Sequence, residues 1–99
     1  MSKSARPISV IAVIIPLKEE FTRVQLVLRN IIERVVQEPG CIQYEITDES
    51  GGRIVLTEQW ESAELLGLHL RGSAVQQLGE SLNGLLALPP DSIRSDQLA

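Results

Sequence analysis

Residues 58–70 read Glu-Gln-Trp-Glu-Ser-Ala-Glu-Leu-Leu-Gly-Leu-His-Leu, a stretch that contains the only tryptophan and the only histidine of the chain. Its first residues end a run with strand character, and the alternation of strand side chains places Glu58 and Trp60 on one face. Ser62 is a typical helix N-cap residue, so a helix that carries His69 is predicted to follow. A strand bearing Trp60 therefore leads directly into a helix bearing His69.

Helical spacing predicts that His69 lies beside the core. With about 3.6 residues per turn, His69 falls at the edge of a stripe formed by Leu65, Leu68 and Gly72. The titratable ring is then expected near the indole of Trp60.

The first apolar segment, residues 8–15, is hydrophobic on both faces. Alternation places Val10, Ala12 and Ile14 on one side, and Ile11, Val13 and Ile15 on the other. A strand of this kind has to be covered on both sides. A chain of 99 residues forms too few helices to cover both faces of the sheet. The doubly apolar strand therefore predicts that the sheet packs against a second copy of the chain.

An amphipathic helix is predicted over residues 18–38. Its apolar residues recur at spacings of three and four and are Phe21, Val24, Leu28, Ile31 and Val35. Pro39-Gly40 ends the helix, because glycine is favoured just past a helix and proline cannot continue one.

The rest of the chain predicts a hairpin, a broken helix and a last strand. Residues 41–47 and 53–60 alternate as two strands joined by a glycine-rich turn. The second helix breaks at 71–73 and continues toward Pro89-Pro90. Residues 92–98 are a candidate last strand, which would pair within the chain or with a neighbouring subunit.

The order strand, helix, strand, strand, broken helix, strand is that of an α+β ferredoxin-like sandwich (β-α-β-β-α-β). The sequence predicts one domain over residues 1–99, with its core at about 8–88 and the tail strand at 92–98. Fold alone does not give function.

Composition excludes several classes of protein. The chain is 43% hydrophobic and has a net charge of −4 with scattered basic residues, which argues against a nucleic-acid partner. The apolar run 8–17 is too short to cross a bilayer, so no membrane association is predicted. Cys41 is the only cysteine and cannot form an internal disulfide, which makes a cytoplasmic location the expectation. One histidine and one cysteine give no metal-ligand spacing.

Four residues are candidates for a site. His69 is the candidate general base, since an imidazole suits proton transfer near neutrality; the alternative is a structural histidine. Trp60 and Tyr44 are candidate substrate-binding residues, as a flat wall and a hydroxyl donor, although both side chains are more often structural. Glu58, the third candidate for substrate binding, either pairs with His69 or an arginine, or a twist of the strand leaves it in water.

Four pieces of sequence, in order, carry a family resemblance: the apolar first strand, Glu38-Pro-Gly-Cys-Ile-Gln-Tyr44, Glu58-Gln-Trp-Glu-Ser62 and His69-Leu70. They resemble the antibiotic biosynthesis monooxygenase superfamily, small dimeric α+β barrel proteins that include quinol monooxygenases. The resemblance implies a homodimer with its two sheets face to face and a pocket between sheet and helices. It also implies oxidation of a small aromatic or quinol substrate by dioxygen, with no metal or flavin cofactor.

The chain departs from the family pattern after His69-Leu70. Many members continue with Ser/Thr-Pro-His or Ser/Thr-Pro-Phe, whereas this chain reads Arg71-Gly-Ser-Ala-Val75. The helix histidine of haem-degrading relatives corresponds to Gly79, so haem degradation is not expected. Two functions stay open: a cofactor-independent monooxygenase, or a non-oxygenase dimer that isomerises or binds a small metabolite. An open cavity touching His69, Trp60 and Tyr44 would favour a ligand, and one closed by leucines would not.

Overall fold

The computed structural model describes residues 6–97. An antiparallel sheet of four strands, in the order β2-β3-β1-β4, packs one face against three α-helices. The elements are β1 Ile8–Ile14, α1 Phe21–Val35, β2 Cys41–Asp48, β3 Ile54–Trp60, α2 Ala63–Leu70, α3 Ser73–Leu82 and β4 Asp91–Arg94. The predicted ferredoxin-like α+β fold and the break in its second helix are confirmed.

Helix α1 has the predicted apolar stripe: Val24, Leu28, Ile31 and Val35 are buried. The helix is shorter than predicted at both ends. Residues 18–20 form a turn of 3-10 helix. After Val36, the N–H groups of Gln37 and Glu38 bond three residues back instead of four, which tightens and ends the helix.

The helix-facing side of the sheet, here called the inner face, is arranged in cross-strand rows. Val10 in the central strand β1 lies opposite Glu58 of β3 and Arg94 of β4, and Glu58 lies opposite Tyr44 of β2. Directly paired residues point to the same face. Four side chains, two of them acidic or basic, therefore lie in one row beneath the helices.

The other side, here called the outer face, is apolar and faces away from the helices. It carries Ile11, Val13, Val55, Thr57 and Ile93, which the register pairs with one another across β3, β1 and β4. Ile11 is 47% exposed and Ile93 is 59% exposed. The prediction that β1 is hydrophobic on both faces is thus confirmed, and only its inner face is covered within the chain.

The alternation predicted for β2 is wrong at its start. The register shifts between Cys41 and Gln43, so Ile42 is half exposed while Tyr44 is buried. A β-bulge of this kind inserts one residue and resets which face the following side chains take. Local alternation alone does not reveal the inserted residue.

The segments after α3 also differ from the prediction. The helix ends at Leu82, well before Pro89, because Asn83-Gly84 follows it and Gly84 has a φ of +83°, a conformation glycine adopts readily. The last strand, predicted at 92–98, spans only Asp91–Arg94 and is followed by a short 3-10 turn. It pairs with β1 of the same chain; Leu98 lies outside the described residues.

Over residues 6–97, none of the helices combines the length and the hydrophobicity needed to span a membrane.

Candidate active site

Helix α2 places His69 in the interior. The helix begins where predicted, since Oγ of Ser62 accepts a hydrogen bond from the N–H of Leu65 at 3.2 Å. Its inward residues are Leu66 and His69, whereas Leu68 is 56% exposed. The predicted stripe of Leu65, Leu68 and Gly72 is therefore wrong, and the imidazole is buried, deeper than the predicted edge position.

The inward direction of α2 follows from contact with β3. The imidazole of His69 stacks on the indole of Trp60, with ring centroids 4.4 Å apart and an angle of 27° between planes. Four of the eight residues of α2 are leucines, so the helix has apolar residues on almost every side. The spacing of its apolar residues therefore does not determine which side of the helix faces the core. The stacking of His69 on Trp60 does.

Glu38 is the partner of His69. Its Oε1 lies 2.8 Å from Nδ1 of the imidazole, so Nδ1–H donates to the carboxylate when His69 is neutral. This pairing fixes the tautomer and leaves Nε2 as the basic nitrogen. Sequence reasoning did not single out Glu38; the only signal was its place at the head of Glu-Pro-Gly-Cys.

The turn that follows Glu38 brings it against α2. Gly40 has a φ of +84°, and a Cβ at this position would lie 2.5 Å from Cδ1 of Leu65. The carbonyl of Gly40 accepts from the N–H of Glu61, and the carbonyl of Glu38 accepts from the N–H of Cys41. A glycine is therefore needed for the close approach that places a carboxylate beside the imidazole.

Glu58 pairs with neither His69 nor an arginine. Its Oε1 accepts a hydrogen bond from Nε1–H of Trp60 at 3.0 Å, and its side chain is only 8% exposed. Burial raises the pKa of the Glu58 carboxyl, and this effect outweighs the lowering by the Trp60 hydrogen bond and by the charge of His69. A buried carboxyl without a cationic partner favours its neutral form.

Tyr44 lies beside the same imidazole. Its ring meets His69 edge-on, with centroids 5.6 Å apart. Burial raises the pKa of Tyr44 far above its usual range, and the negative charges of Glu58 and Glu38 raise it further. The phenol therefore stays protonated and is able to donate a hydrogen bond.

A cavity of about 260 Å³ lies between the inner face and helices α2 and α3. Tyr44, Glu58, His69 and Arg94 line it together with apolar side chains, among them Val10, Ala12, Leu56, Leu66 and Leu78. Such a mainly apolar pocket with a few convergent polar groups is typical of a small-molecule site. The structure thus brings three of the four predicted site residues to one cavity, and Trp60, fully buried, lies behind His69.

The polar groups of the cavity are available to a ligand. Among residues 6–97, no fully enclosed side-chain nitrogen or oxygen lacks a hydrogen-bond partner. Nε2 of His69 and the hydroxyl of Tyr44 have no partner in this part of the chain, so both must reach accessible space. His69 lines the cavity, and Nε2 is the ring nitrogen that Glu38 leaves unoccupied.

In the part of the chain that the structure describes, no three histidine, cysteine or acidic side chains lie close enough together to hold a metal ion.

Solved structures confirm the fold over nearly the whole chain. The Rv0793 protein of Mycobacterium tuberculosis superposes with a TM-score of 0.84 at 24% identity, covering 94% of this chain and 96% of its own. A candidate antibiotic biosynthesis monooxygenase of Caulobacter crescentus gives a TM-score of 0.85 at 20% identity, with coverages of 96% and 92%. PA3566 of Pseudomonas aeruginosa gives 0.83 at 22% identity, with coverages of 96% and 97%.

No curated protein sequence is significantly similar to the chain. The family model described as antibiotic biosynthesis monooxygenase, however, matches residues 7–80. This match spans β1 to the last turn of α3 and includes Glu38, Tyr44, Glu58 and His69. The chain therefore belongs to the antibiotic biosynthesis monooxygenase family.

Proposed function

We propose that this protein is a cofactor-independent monooxygenase that oxidises a small quinol or related polyphenolic aromatic compound with dioxygen. The observation that carries the proposal is the Glu38–His69 pair, in which a carboxylate holds one imidazole nitrogen, the other is free of a protein partner in the described chain, and the ring lines an apolar cavity. A base oriented in this way is the group that phenol deprotonation needs.

The reaction begins with proton transfer. Nε2 of His69 takes the hydroxyl proton of the substrate, and the carboxylate of Glu38 stabilises the imidazolium that forms. The electron-rich phenolate passes one electron to dioxygen, and the two radicals combine to a peroxide bonded to a ring carbon. Loss of water from that carbon leaves a carbonyl, so that a hydroquinone and dioxygen give a hydroxyquinone and water.

The remaining residues of the cavity support this chemistry. The protonated hydroxyl of Tyr44 donates a hydrogen bond to a substrate oxygen. Glu58, which is also a predicted substrate-binding residue, is a second polar contact for the substrate. Trp60 supports the site from behind, as the plane on which His69 stacks. The apolar walls exclude water, which strengthens these interactions and shields the reactive intermediate.

A homodimer is part of the proposal. The outer face exposes a contiguous apolar surface around Ile11 and Ile93, and patches of this kind mark interaction sites. Pairing of two outer faces covers the second side of β1, as its sequence predicts. The cytoplasmic location inferred from the single cysteine remains a prediction.

A second candidate function is a dimer that binds or isomerises a small metabolite. The observation that favours it is Arg71-Gly-Ser-Ala-Val75, which replaces the Ser/Thr-Pro-His/Phe segment of many relatives. A protein of this class would fill the same cavity without consuming oxygen.

Oxygen uptake with a panel of hydroquinones separates the two functions. The wild type, free of metal and flavin, is expected to consume oxygen faster than the uncatalysed background. His69→Ala should lower the rate about 100-fold, the usual contribution of a general base. Leu68→Ala, on the exposed side of the same helix, is the matched control and should retain the wild-type rate.

Two results would contradict this assignment. Wild-type uptake no faster than background would leave the binding or isomerising function. If oxygen uptake is unchanged in His69→Ala, the oxygenase function stands, but His69 is not its general base. Glu38→Gln sharpens the result, because loss of the carboxylate should lower kcat about tenfold and leave KM nearly unchanged.

A further inference from the structure

We propose that Glu58 is the general acid of the second half-reaction, giving its carboxyl proton to the distal oxygen of the substrate peroxide as the O–O bond breaks. This inference rests on the proposed oxygenase function. It assigns separate roles to two groups in one cavity during that half-reaction: His69 removes a proton from the ring carbon, and Glu58 donates one to the leaving oxygen.

The carboxyl of Glu58 is held in place with one oxygen to spare. Oε1 accepts the hydrogen bond from Nε1–H of Trp60, and strand β3 fixes the backbone between β1 and β2. Oε2 has no partner among residues 6–97, and no fully enclosed oxygen there lacks one. Since Glu58 lines the cavity, Oε2 is the oxygen that meets a ligand.

The same indole positions both proton-transfer groups. Trp60 stacks on the imidazole of His69 and donates its N–H to Glu58. A substrate in the cavity is therefore exposed to the base and to the acid at once. An arrangement in which two groups share one rigid support keeps their separation constant during the reaction.

The surroundings of Glu58 raise the pKa of its carboxyl and so favour the protonated form. The titratable groups that face it are Tyr44 from β2, Cys41 at the start of β2, His69 from α2 and Arg94 from β4. Arg94 is already bound by two hydrogen bonds to Asp96, at 3.0 and 2.8 Å. Neither Arg94 nor His69 forms an ion pair with Glu58 in the structure, and burial raises the pKa of its carboxyl.

The second half-reaction needs an acid. After the first step, the imidazolium of His69 returns its proton to the peroxide anion, which gives a neutral hydroperoxide. His69 then takes the hydrogen from the carbon that carries the peroxide, as a proton. The electron pair of that C–H bond forms the carbonyl, the O–O bond breaks, and the distal oxygen leaves with the proton of Glu58 as water.

Proton balance is restored within the pair. At the end of the cycle His69 carries one extra proton and Glu58 lacks one, so transfer from one to the other, directly or through water, resets both. Without the acid, the hydroperoxide instead loses hydroperoxide anion, which takes the C–O electron pair, and the remaining ring hydroxyl loses the proton that completes hydrogen peroxide. A hydroquinone and dioxygen then give quinone and hydrogen peroxide, the products of an oxidase.

Glu58→Gln tests the assignment with little change in shape. The amide oxygen still accepts from Trp60, and the amide has no acidic proton to give. The matched control is Glu45→Gln, an exposed glutamate of β2. Oxygen consumed, hydroxyquinone formed and hydrogen peroxide released are measured together with a hydroquinone substrate.

The wild type and the control are expected to form hydroxyquinone and water. In Glu58→Gln, the ratio of hydrogen peroxide to hydroxyquinone, measured per oxygen consumed, should rise at least about tenfold. Glu58→Asp, which keeps the acid but withdraws it from the cavity, should give an intermediate ratio. If Glu58→Gln does not fold, this second variant carries the test.

An unchanged product ratio in both variants would overturn the role of Glu58 and leave the oxygenase in place. Absence of uptake by the wild type would overturn the oxygenase and this role with it. Infrared difference spectra provide a readout independent of turnover. A protonated-carboxyl band that titrates above the range of exposed glutamates should be present in the wild type and absent in Glu58→Gln, and its absence in the wild type would overturn the proposal.

Discussion

On the inner face of the sheet, Glu58 and Tyr44 are almost completely buried, whereas on the outer face Ile11 and Ile93 are about half exposed. Each face thus reverses the usual distribution of polar and apolar side chains. Burial of a carboxyl group costs free energy unless its environment compensates. Exposure of several aliphatic side chains in one patch forgoes the free energy of burying them.

The two reversals have different explanations. Beneath the helices, Glu58 and His69 each have one hydrogen-bond partner, Trp60 and Glu38 respectively, and both line the cavity. On the outer face, the exposed groups have no such partners and form a continuous surface. This difference supports the two proposals made above, a ligand site on one side of β1 and β3 and a contact between copies on the other.

The largest expected effect is on the inner face. Trp60→Ala should lower the free energy of unfolding by about 3–5 kcal/mol, since it removes a fully buried aromatic ring together with the donor to Glu58. Gln59→Ala, the neighbouring outer-face residue, should change it by less than about 0.5 kcal/mol. Urea unfolding measures both.

Equal losses at the two positions would show that the faces do not differ in packing. Because domains of this size are only marginally stable, Trp60→Phe is the milder variant, and its loss should fall between the other two.

A smaller effect is expected on the outer face. Ile11→Asp should weaken self-association about 100-fold, or roughly 2.8 kcal/mol, because each copy would place an unpaired charge in the contact. Light scattering over a range of concentrations should then change from twice the mass of the chain to the mass of one chain. Leu26→Asp is the control, at a more exposed aliphatic residue on α1, and should remain a dimer.

A wild type with the mass of one chain would remove the dimer and with it the interpretation of the outer face. The same dissociation in Leu26→Asp would move the contact to the helices.

The smallest effect is a change of stability with pH. Because the pKa of Glu58 is higher in the folded protein than its ordinary value of 4.5, the folded state binds this proton more tightly than the unfolded state. Its contribution to stability is fully present below the unfolded pKa and is lost as the pH rises through the folded pKa. Glu58→Gln should therefore gain stability relative to the wild type as the pH rises from 4 toward neutrality.

Thermal or urea unfolding at a series of pH values measures this difference. Glu45→Gln, on the exposed side of β2, should show no such trend. A constant difference between the wild type and Glu58→Gln at all pH values would mean that folding leaves the proton affinity of this carboxyl unchanged.

Much of the fold could be predicted because its signals are local. The 3-4 spacing in α1 and the alternation in β3 each encode one buried face, and the structure buries Leu28 and Leu56 as these patterns require. The candidate site could be predicted in part, since Glu58 and Trp60 share a face by alternation alone. His69 was found because a lone imidazole follows them on the next element.

The sequence by itself determined three features: the α+β order of elements, the inner face of β3 and the uncovered outer face of β1. Each depends on the spacing of apolar side chains and on turn residues, which are local properties of the chain. Only the tertiary structure decided which side of the leucine-rich α2 faces inward, and that Glu38, 31 residues away, holds His69. It also placed Trp60 behind the site and Arg94 within reach of the cavity. These contacts join residues distant in the chain, and their geometry depends on how the elements pack, which no local period encodes.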